Sequence, residues 1–337
     1  MTAPSSTTWS LAWSGSGDML FRYVAAGGLL LAAAPVLGAV LPGAPPVLDL
    51  AAHFLVPSLL LSALLSVTGL LVRQARITAA ASILLAMGAF VLLPHALPAG
   101  RQGGWGDAVA VMPDRVPALK VYFHNIWSNN RRSEDLVAAS VASGADVVVM
   151  AETTSWRKRF FGPLASEYPH GIACTARDEC DLTLFSRLPL ADRMVFHDRI
   201  SGARGIAATL GDVSTGQVRI VGVHLGRPIP PDGQSRQFLQ VQALLRSDLF
   251  RPDLPTLLVG DFNAVPWGQV VQSLARGLRL QPAGGIEGSW PDFLPMPLRI
   301  RIDQALLSPG IAVTSQSLGP AHGSDHRSLS ISIGPSH

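Results

Sequence analysis

The chain has 337 residues, of which 48% are hydrophobic and 15% are charged. Five charged residues lie in the first hundred positions and 44 in the remainder, so the two parts are about 5% and about 19% charged, against about 25% in an average soluble domain. This asymmetry excludes a single homogeneous soluble fold, a disordered chain and a collagen-like or coiled-coil protein. It indicates a hydrophobic N-terminal third joined to a globular domain.

Three stretches in the first hundred residues lack Asp, Glu, Lys and Arg, and each is long enough to cross a hydrocarbon core about 30 Å thick. They predict membrane spans at 19–41, 50–72 and 77–97, within an anchor of residues 1–97. Three buried core helices of a soluble protein are the alternative, but ordinary core helices carry a polar face, which these stretches lack. A cleaved signal peptide is an alternative for the first span alone.

The basic residues near the span ends predict the orientation in the membrane. The turn Arg73–Arg76 carries two arginines, whereas the loop at 42–49 carries none. We therefore expect the turn to face the cytoplasm and the loop to face the opposite side, although Arg101 argues for the reverse. Three spans then give a multi-pass protein of the plasma (inner) membrane with an extracytoplasmic, periplasmic domain.

Residues 98–118 are rich in Gly and Pro and predict a linker, followed by a domain at 119–337. In this domain short β-rich runs outnumber helical stretches, which argues against a regular βαβ repeat and favours antiparallel or mixed sheets covered by helices. The predicted strands are 119–124, 146–150, 182–185, 205–210, 218–223, 256–259, 300–307 and 329–333. The predicted helices are 133–143, 234–248 and 267–277.

Cys174 and Cys180 are the only two cysteines. Their spacing fits no common zinc pattern. Two free thiols in a cytosolic protein are one interpretation, and a short loop closed by a disulfide in an oxidising compartment is the other. We favour the disulfide, which agrees with an extracytoplasmic domain.

Polar residues recur where the predicted strands end, and such residues often meet at one rim of a sheet. They are Asn125, Glu152, His224, Asp261, Asn263, Asp303, Asp325 and His326. Carboxylate and amide oxygens are ligands that Mg²⁺ prefers, and histidines can donate protons to oxyanions near neutral pH. The sequence has no Walker loop and no Gly-x-Ser-x-Gly elbow, which counts against a P-loop NTPase and a serine esterase.

Seven short segments occur in an order that resembles the endonuclease/exonuclease/phosphatase superfamily, over about residues 119–334. They are Phe123–Asn125, Asp146–Glu152, Leu184–Arg187, Val223–Leu225, Gly260–Asn263, Arg301–Asp303 and Ser324–His326. The resemblance implies an α+β fold, a four-layer sandwich of two mixed β-sheets flanked by helices. Here three transmembrane α-helices precede it, as in a membrane-anchored member of bacterial type.

The resemblance also implies a hydrolase acting on phosphoester bonds with Mg²⁺ as its cofactor, or Mn²⁺ in its place. Glu152 would be the main metal ligand, with Asn125 beside it on the metal or the phosphate. Asp325 would support the metal or the neighbouring histidine. The metal would neutralise charge during in-line attack by water.

The remaining motif residues would carry the chemistry. Asp261 would orient or deprotonate the attacking water, and Asn263 would hold a phosphate oxygen. His326 would stabilise the developing charge or protonate the product side, with Asp303 fixing its tautomer. His224 would be a second donor to the phosphate.

The sequence departs from the family pattern at two points. Trp127 stands where many nuclease members have an acidic residue, and the acidic partner of His224 is unclear, with Asp181 as the candidate. Several tryptophans follow motifs closely. Among them we expect Trp267 to contact substrate, with plain packing as the alternative.

The superfamily acts on several phosphoesters, so its fold does not choose the substrate. After residue 100 the chain has 23 basic and 21 acidic residues, without the strong basic footprint of a duplex-binding enzyme. We therefore predict a membrane-anchored phosphodiesterase acting on a lipid head group or another envelope phosphoester. An exported nuclease and a catalytically silent binding protein are the alternatives. The expected partners are a lipid or nucleic-acid phosphoester and the bilayer, with no obligate protein partner.

Overall fold

The computed structural model describes residues 15–96, 118–153, 157–174, 180–212, 216–229 and 232–335. The helices are α1 (Gly15–Val40), α2 (Pro46–Ala51), α3 (Leu55–Leu71), α4 (Ala75–Ala96), α5 (Ser133–Ala142), α6 (Arg157–Glu167), α7 (Gly233–Leu245) and α8 (Gln269–Leu278). The strands are β1 (Leu119–Asn125), β2 (Val147–Ala151), β3 (His170–Ala173), β4 (Thr183–Ser186), β5 (Ala191–Asp198), β6 (Ala203–Asp212), β7 (Gly216–His224), β8 (Thr256–Asp261), β9 (Gln281–Pro282), β10 (Asp303–Leu307), β11 (Ile311–Leu318) and β12 (Leu329–Pro335). The predicted linker lies outside the described residues, except for residue 118.

The N-terminal helices contain three stretches long and apolar enough to cross a membrane: Gly17–Val40, Pro46–Leu71 and Ala75–Ala96. The second is interrupted by a 3₁₀ turn between α2 and α3. Small residues let the helices approach closely, since a Cβ on Gly88 would lie 2.4 Å from Leu59 Cδ2. Large apolar side chains point outward from the bundle, and this arrangement is typical of membrane helices.

The rest of the described chain forms two six-stranded sheets, ordered β11-β12-β1-β2-β4-β3 and β5-β6-β7-β8-β10-β9. Each sheet contains one parallel pair, β1 with β2 and β7 with β8, while its other neighbours are antiparallel. The prediction of mixed sheets is therefore confirmed. Strands β2 and β8 are buried along their whole length, as their unbroken apolar runs require.

The domain has four layers. The largest apolar cluster fills the space between the sheets, with Val149 from one and Ile220 from the other. Helices α5 and α6 cover the outer face of the first sheet through Leu136 and Leu164. Helices α7 and α8 cover the outer face of the second sheet. Leu244 of α7 lies in the apolar cluster between these helices and that sheet. The predicted α+β sandwich is confirmed, and each fully buried aliphatic side chain stabilises it by about 1.5–3 kcal/mol.

The structure contains four strands that the sequence patterns did not predict: β3, β5, β9 and β11. All four are edge strands of their sheets. Their side chains are at most partly buried along most of their length, so they lack the apolar runs by which the central strands were predicted. Helix α6 was also not predicted, and it contains Pro163.

The two parallel strand pairs end where several of the predicted site residues lie. Asn125 pairs with Ala151 at the end of β1 and β2, and Glu152 follows directly. His224 pairs with Asp261 at the end of β7 and β8. The antiparallel neighbour β10 begins at this level, since Asp303 pairs with Asp261.

The domain packs against one end of the N-terminal bundle. Val265 and Trp267 lie in an apolar cluster with Leu55 and Leu92 of the bundle. The indole nitrogen of Trp267 donates to the Ala52 carbonyl at 2.8 Å. This contact surface lies directly after the Gly260–Asn263 segment in sequence, so the bundle and the rim are adjacent.

Polar contacts complete this docking surface. Asp49 of α2 is 2% exposed; its Oδ1 accepts the Gln269 backbone N–H at 2.8 Å, and its Oδ2 accepts the Gln234 side-chain amide. The Nε2 of His53 lies 3.4 Å from the Asn263 carbonyl oxygen. The Gly285 N–H donates to a carbonyl at the end of α4. The N-terminal bundle thus contacts α7, α8 and the backbone that follows β8.

Candidate active site

Asn125 connects the two sheets at the rim. Its Nδ2 donates to Glu152 Oε1 at 3.1 Å and to Asp261 Oδ2 at 2.8 Å. Its Oδ1 accepts the Trp127 N–H at 3.0 Å. The side chain is fully buried, so its contacts hold these two carboxylates in one geometry.

Glu152 lies at the edge of the site in a left-handed backbone conformation, with φ of 61°. Its Oε2 accepts the Ser128 N–H at 2.8 Å. Burial acts to raise the pKa of Glu152, but the Ser128 N–H and the charge of His224 hold that pKa below its ordinary value. The carboxylate is therefore ionised at neutral pH.

Asp261 lies at the centre of the site and is 1% exposed. Its Oδ1 accepts the Asn263 N–H at 2.8 Å. Its Oδ2 lies 3.7 Å from Nε2 of His224 and 3.8 Å from Nε2 of His326. Burial raises the pKa of Asp261, and the neighbouring imidazoles only partly offset this rise. A carboxylate with a raised pKa is suited to accepting a proton.

His224 is held by Asp181, whose Oδ2 lies 2.9 Å from its Nδ1. Arg204 also binds that oxygen, at 3.1 Å. Burial acts to lower the pKa of His224, but the negative charge of Asp181 outweighs burial and raises the pKa to about 9. The pKa of Asp181 falls to about 2 because the favourable charge of His224 outweighs burial. Asp181 is thus confirmed as the acidic partner of His224.

His326 is held in the same way by Asp303, whose Oδ2 lies 2.8 Å from its Nδ1. The Ser324 hydroxyl accepts the His326 N–H at 3.0 Å, and Nε2 of His124 lies 3.1 Å from the His326 carbonyl oxygen. Burial acts to lower the pKa of His326, but the charge of Asp303 raises it to about 9. The contact fixes the orientation of the ring, and Nε2 is left to face Asp261.

The two remaining motif residues lie beside this arrangement. The Oδ1 of Asp325 lies 3.9 Å from Nε2 of His326, and its Oδ2 accepts the Trp290 indole N–H at 3.0 Å. The Nδ2 of Asn263 donates to the Leu225 carbonyl at 2.9 Å and lies 3.3 Å from Asp261 Oδ2. In this arrangement Asn263 supports Asp261, and its amide would have to release one of these bonds to hold a phosphate oxygen.

The donor set fits a hard divalent cation. Asp261, Asp303 and His326 each offer one ligand atom, and these atoms lie within 4.8 Å of one another. Among the described residues, Oδ1 of Asp303 and Oδ1 of Asp325 are buried oxygens without a hydrogen-bond partner. A site this rich in carboxylate oxygen suits Mg²⁺ or Mn²⁺ better than a softer metal.

Backbone strain coincides with the site. Trp127, Glu152 and Asn263 all have positive φ, at 57°, 61° and 46°. Non-glycine residues in this region cost of order 1–3 kcal/mol each and persist where the surrounding structure imposes them. These three residues therefore indicate that the rim holds its side chains in fixed positions at a cost in local stability.

The structure places Trp267 outside this arrangement. Its ring packs 5.7 Å from that of His95 of the bundle and is 6% exposed, so it belongs to the docking surface. Trp290 lies nearer the chemistry, with its ring 6.4 Å from the His326 ring. Position along the chain does not show which tryptophan reaches the rim, because this depends on the fold.

The predicted disulfide is present. Cys174 and Cys180 are bonded, and both are buried in the cluster between the sheets. The bond therefore joins the ends of the loop between β3 and β4. Asp181, the partner of His224, comes directly after it.

The endonuclease/exonuclease/phosphatase family model matches residues 123–326, which is more than half of the chain. The chain therefore belongs to the endonuclease/exonuclease/phosphatase family. No curated protein sequence matches the chain at a significant level.

Solved structures of the same fold include three proteins of low sequence identity. An endonuclease/exonuclease/phosphatase from Beutenbergia cavernae is 18% identical, with a TM-score of 0.53, and the match covers 65% of this chain and 72% of that one. One from Bacteroides vulgatus is 15% identical, with a TM-score of 0.55, over 65% of this chain and 100% of that one. The human Nocturnin catalytic domain with bound sulfate anion is 21% identical, with a TM-score of 0.51, over 66% and 96%. At these identities the likeness establishes the fold alone.

Proposed function

We propose that this protein is a membrane-anchored, metal-dependent phosphodiesterase that hydrolyses a lipid head group or another envelope phosphoester. The observation that carries this proposal is the arrangement around Asp261. It faces two imidazoles, each held by its own aspartate, and it shares Asn125 with Glu152. This arrangement provides a base, two proton donors and a place for a cation within one rim.

Glu152 would hold the cation, with Asn125 and Asp325 beside it. Asp261, Asp303 and His326, whose ligand atoms also lie within 4.8 Å of one another, would instead act on the water and the phosphate. When bound there, the cation supplies neutralisation of charge on the phosphoryl oxygens. Asp261 orients the attacking water and accepts its proton at Oδ2. His326 and His224, both protonated at neutral pH, donate from Nε2 to the phosphoryl oxygens or to the leaving oxygen.

The position of the domain supports the membrane part of the proposal. The domain docks at the end of the bundle that carries Asp49 and the last turn of α4, and the Arg73–Arg76 turn lies at the other end. With that arginine turn in the cytoplasm, the domain is extracytoplasmic. A disulfide inside the domain agrees with this side because it requires an oxidising compartment.

A loop beside the site supports a lipid substrate over a nucleic acid. Between Gly285 and Arg299 it exposes Phe293 and Met296, and Phe293 is 81% exposed. The 3₁₀ turn of this loop packs against α3 of the anchor. The same loop carries Trp290, which donates to Asp325. An apolar rim next to membrane helices suits a lipid-water interface.

The test uses the full chain in lipid nanodiscs with Mg²⁺ or Mn²⁺, and with EDTA as the metal-free control. The substrates are phospholipids, a phosphomonoester, RNA, single-stranded DNA and supercoiled plasmid. We expect release of a phosphorylated head group that stops with EDTA, and we expect Glu152→Ala and His326→Ala each to abolish it. Plasmid nicking without lipid hydrolysis would establish the nuclease alternative, and undiminished activity in both variants would refute the site.

A further inference from the structure

A groove of about 610 Å³ opens from the candidate active site. Glu152 and His224 lie at its wall, which continues along the loop after β5, the segment after β7 and the first turns of α7. Four arginines line it: Arg199, Arg204, Arg227 and Arg236. Asp303 and His326 do not line it, so the groove adjoins the site on the side of Glu152 and His224.

The charge of this groove is not balanced by its own acids. The lining carries two carboxylates, those of Glu152 and Asp232, against four guanidinium groups, of which that of Arg204 is paired with Asp181 at 3.1 Å. Under the proposed function Glu152 binds the cation, so its charge does not balance the arginines. Asp232 pairs with Arg236 at 2.8 Å at the exposed edge. Within the described residues no carboxylate pairs with Arg199, and Arg227 is 57% exposed with its Nη2 3.9 Å from Glu152. The groove thus offers guanidinium groups to a further anion.

The uncharged residues of the lining indicate which kind of anionic ligand the groove suits, a polynucleotide or a lipid head group. It includes the exposed aliphatic side chains Ile200 and Leu239, at 95% and 51% exposed. None of the described lining residues is Phe, Tyr or Trp. Single-stranded nucleic acids bind chiefly by stacking bases on aromatic side chains next to a basic track. Arginines with aliphatic neighbours suit an anionic head group attached to acyl chains better than a polynucleotide.

The position of α7 places this groove beside the membrane anchor. The helix contributes Arg236 and Leu239 to the groove, while Gln234, two residues before Arg236, donates to Asp49 of α2. One short helix therefore contacts both the anchor and the anion groove.

We propose that this groove is a subsite for a second anionic group, so that the substrate is a membrane lipid whose head group carries a phosphate beyond the scissile phosphodiester. The inference rests on the proposed function. Water forms the new P–O bond at the diester phosphorus, the P–O bond to the diacylglycerol oxygen breaks, and that oxygen takes a proton, so the head group leaves with both phosphates. The second phosphate stays intact on the arginines.

The test compares two lipids that differ only in the second phosphate. They are phosphatidylglycerol and phosphatidylglycerol phosphate with identical short acyl chains, each given to the full chain in nanodiscs with Mg²⁺. We expect kcat/KM to be at least about tenfold higher for phosphatidylglycerol phosphate, because a hydrogen bond to a charged group adds on the order of tenfold or more.

The variants Arg199→Gln and Arg236→Gln test the residues that make this discrimination. Each should reduce the ratio of kcat/KM between the two lipids by about tenfold, with the loss in KM rather than in kcat. Arg246→Gln is the matched control, since Arg246 is exposed at the other end of α7 and does not line the groove. It should leave the ratio unchanged.

A binding measurement separates failure of the subsite from failure of the proposed function. Calorimetry on the full chain without metal compares glycerophosphoglycerol with glycerophosphoglycerol phosphate as soluble head groups. Arginine-dependent preference for the head group with two phosphates, without turnover of any phosphoester, keeps the subsite and refutes the proposed function. Turnover of both lipids at equal kcat/KM refutes the subsite and keeps the function. Cleavage of an oligonucleotide that depends on Arg199 and Arg236, with no lipid turnover, refutes the lipid occupant.

Discussion

At the scale of single residues, the site is defined by which nitrogen of each histidine is already bound. His224 and His326 both use Nδ1 for an aspartate and present Nε2 to Asp261. Both rings keep their protons at neutral pH because a carboxylate charge outweighs the effect of burial. Activity that needs protonated donors should therefore persist up to about pH 9 and fall as pH rises through that value.

The variant Asp181→Asn tests this argument. It removes the charge that raises the pKa of His224, so burial then lowers that pKa. We expect the alkaline limb of the pH profile of kcat/KM to begin at lower pH, while Asp303 keeps the pKa of His326 at about 9. Asp253→Asn, which changes an exposed aspartate paired with Arg251, is the control and should leave the profile in place. An unchanged alkaline limb in Asp181→Asn would contradict the assignment of His224.

Most of these residues could be proposed from the sequence, because short motifs preserve residue type and order even when identity is low. Their contacts could not be proposed in the same way. Asn125 lies 136 positions before Asp261, and only the packing of the two sheets face to face brings their side chains together. Trp267 shows the reverse case, since a position four residues after a motif gave no indication that its side chain faces the anchor.

At the scale of elements, burial explains which strands were predictable. The central strands carry apolar runs because both faces are covered, so they are apparent in the sequence. Edge strands β3, β5, β9 and β11 face solvent on part of their surface and resemble loops in composition. The two parallel pairs were also not predictable as pairs, because pairing depends on contacts far apart in the sequence. It is this pairing that brings four strand ends to one rim.

Gly260 tests the packing of the β7–β8 pair. A Cβ at this position would lie 2.1 Å from the Val223 carbonyl oxygen, so the two strands must separate to admit it. We expect Gly260→Ala to lower the free energy of unfolding by roughly 1–3 kcal/mol, measured by urea unfolding of the full chain in detergent. Gly162→Ala in α6 is the control, since its Cβ would meet no described atom within 4 Å and Ala favours helix. Equal stability of the two variants would contradict the close approach at Gly260.

At the scale of the whole molecule, the anchor and the domain share a buried polar contact. Asp49 accepts two hydrogen bonds across the docking surface, from Gln234 and from the N–H of Gln269. The apolar part includes Val265 and Trp267, which an isolated domain would expose to water. The N-terminal bundle is thus part of the fold that supports the rim.

Asp49→Ala should weaken this contact, because the donors of Gln234 and Gln269 lose their partner inside a buried surface. We expect the domain to lose about 1–3 kcal/mol of unfolding free energy, seen as a lower thermal midpoint in detergent. Asp18→Ala is the matched control, since Asp18 pairs with Arg22 and with Gln74 away from the domain. A midpoint that falls equally in both variants would mean that the bundle itself, rather than the docking surface, had been disturbed.

The contact between Asp49 and the domain also has a kinetic consequence. Under the proposed membrane placement, a rim held to its own helices by buried contacts stays at the bilayer surface between turnovers and encounters lipids by their lateral diffusion. For a lipid substrate the rate then follows the mole fraction of that lipid in the surrounding leaflet, and dilution of the sample with buffer leaves it unchanged. Dilution with inert lipid slows it.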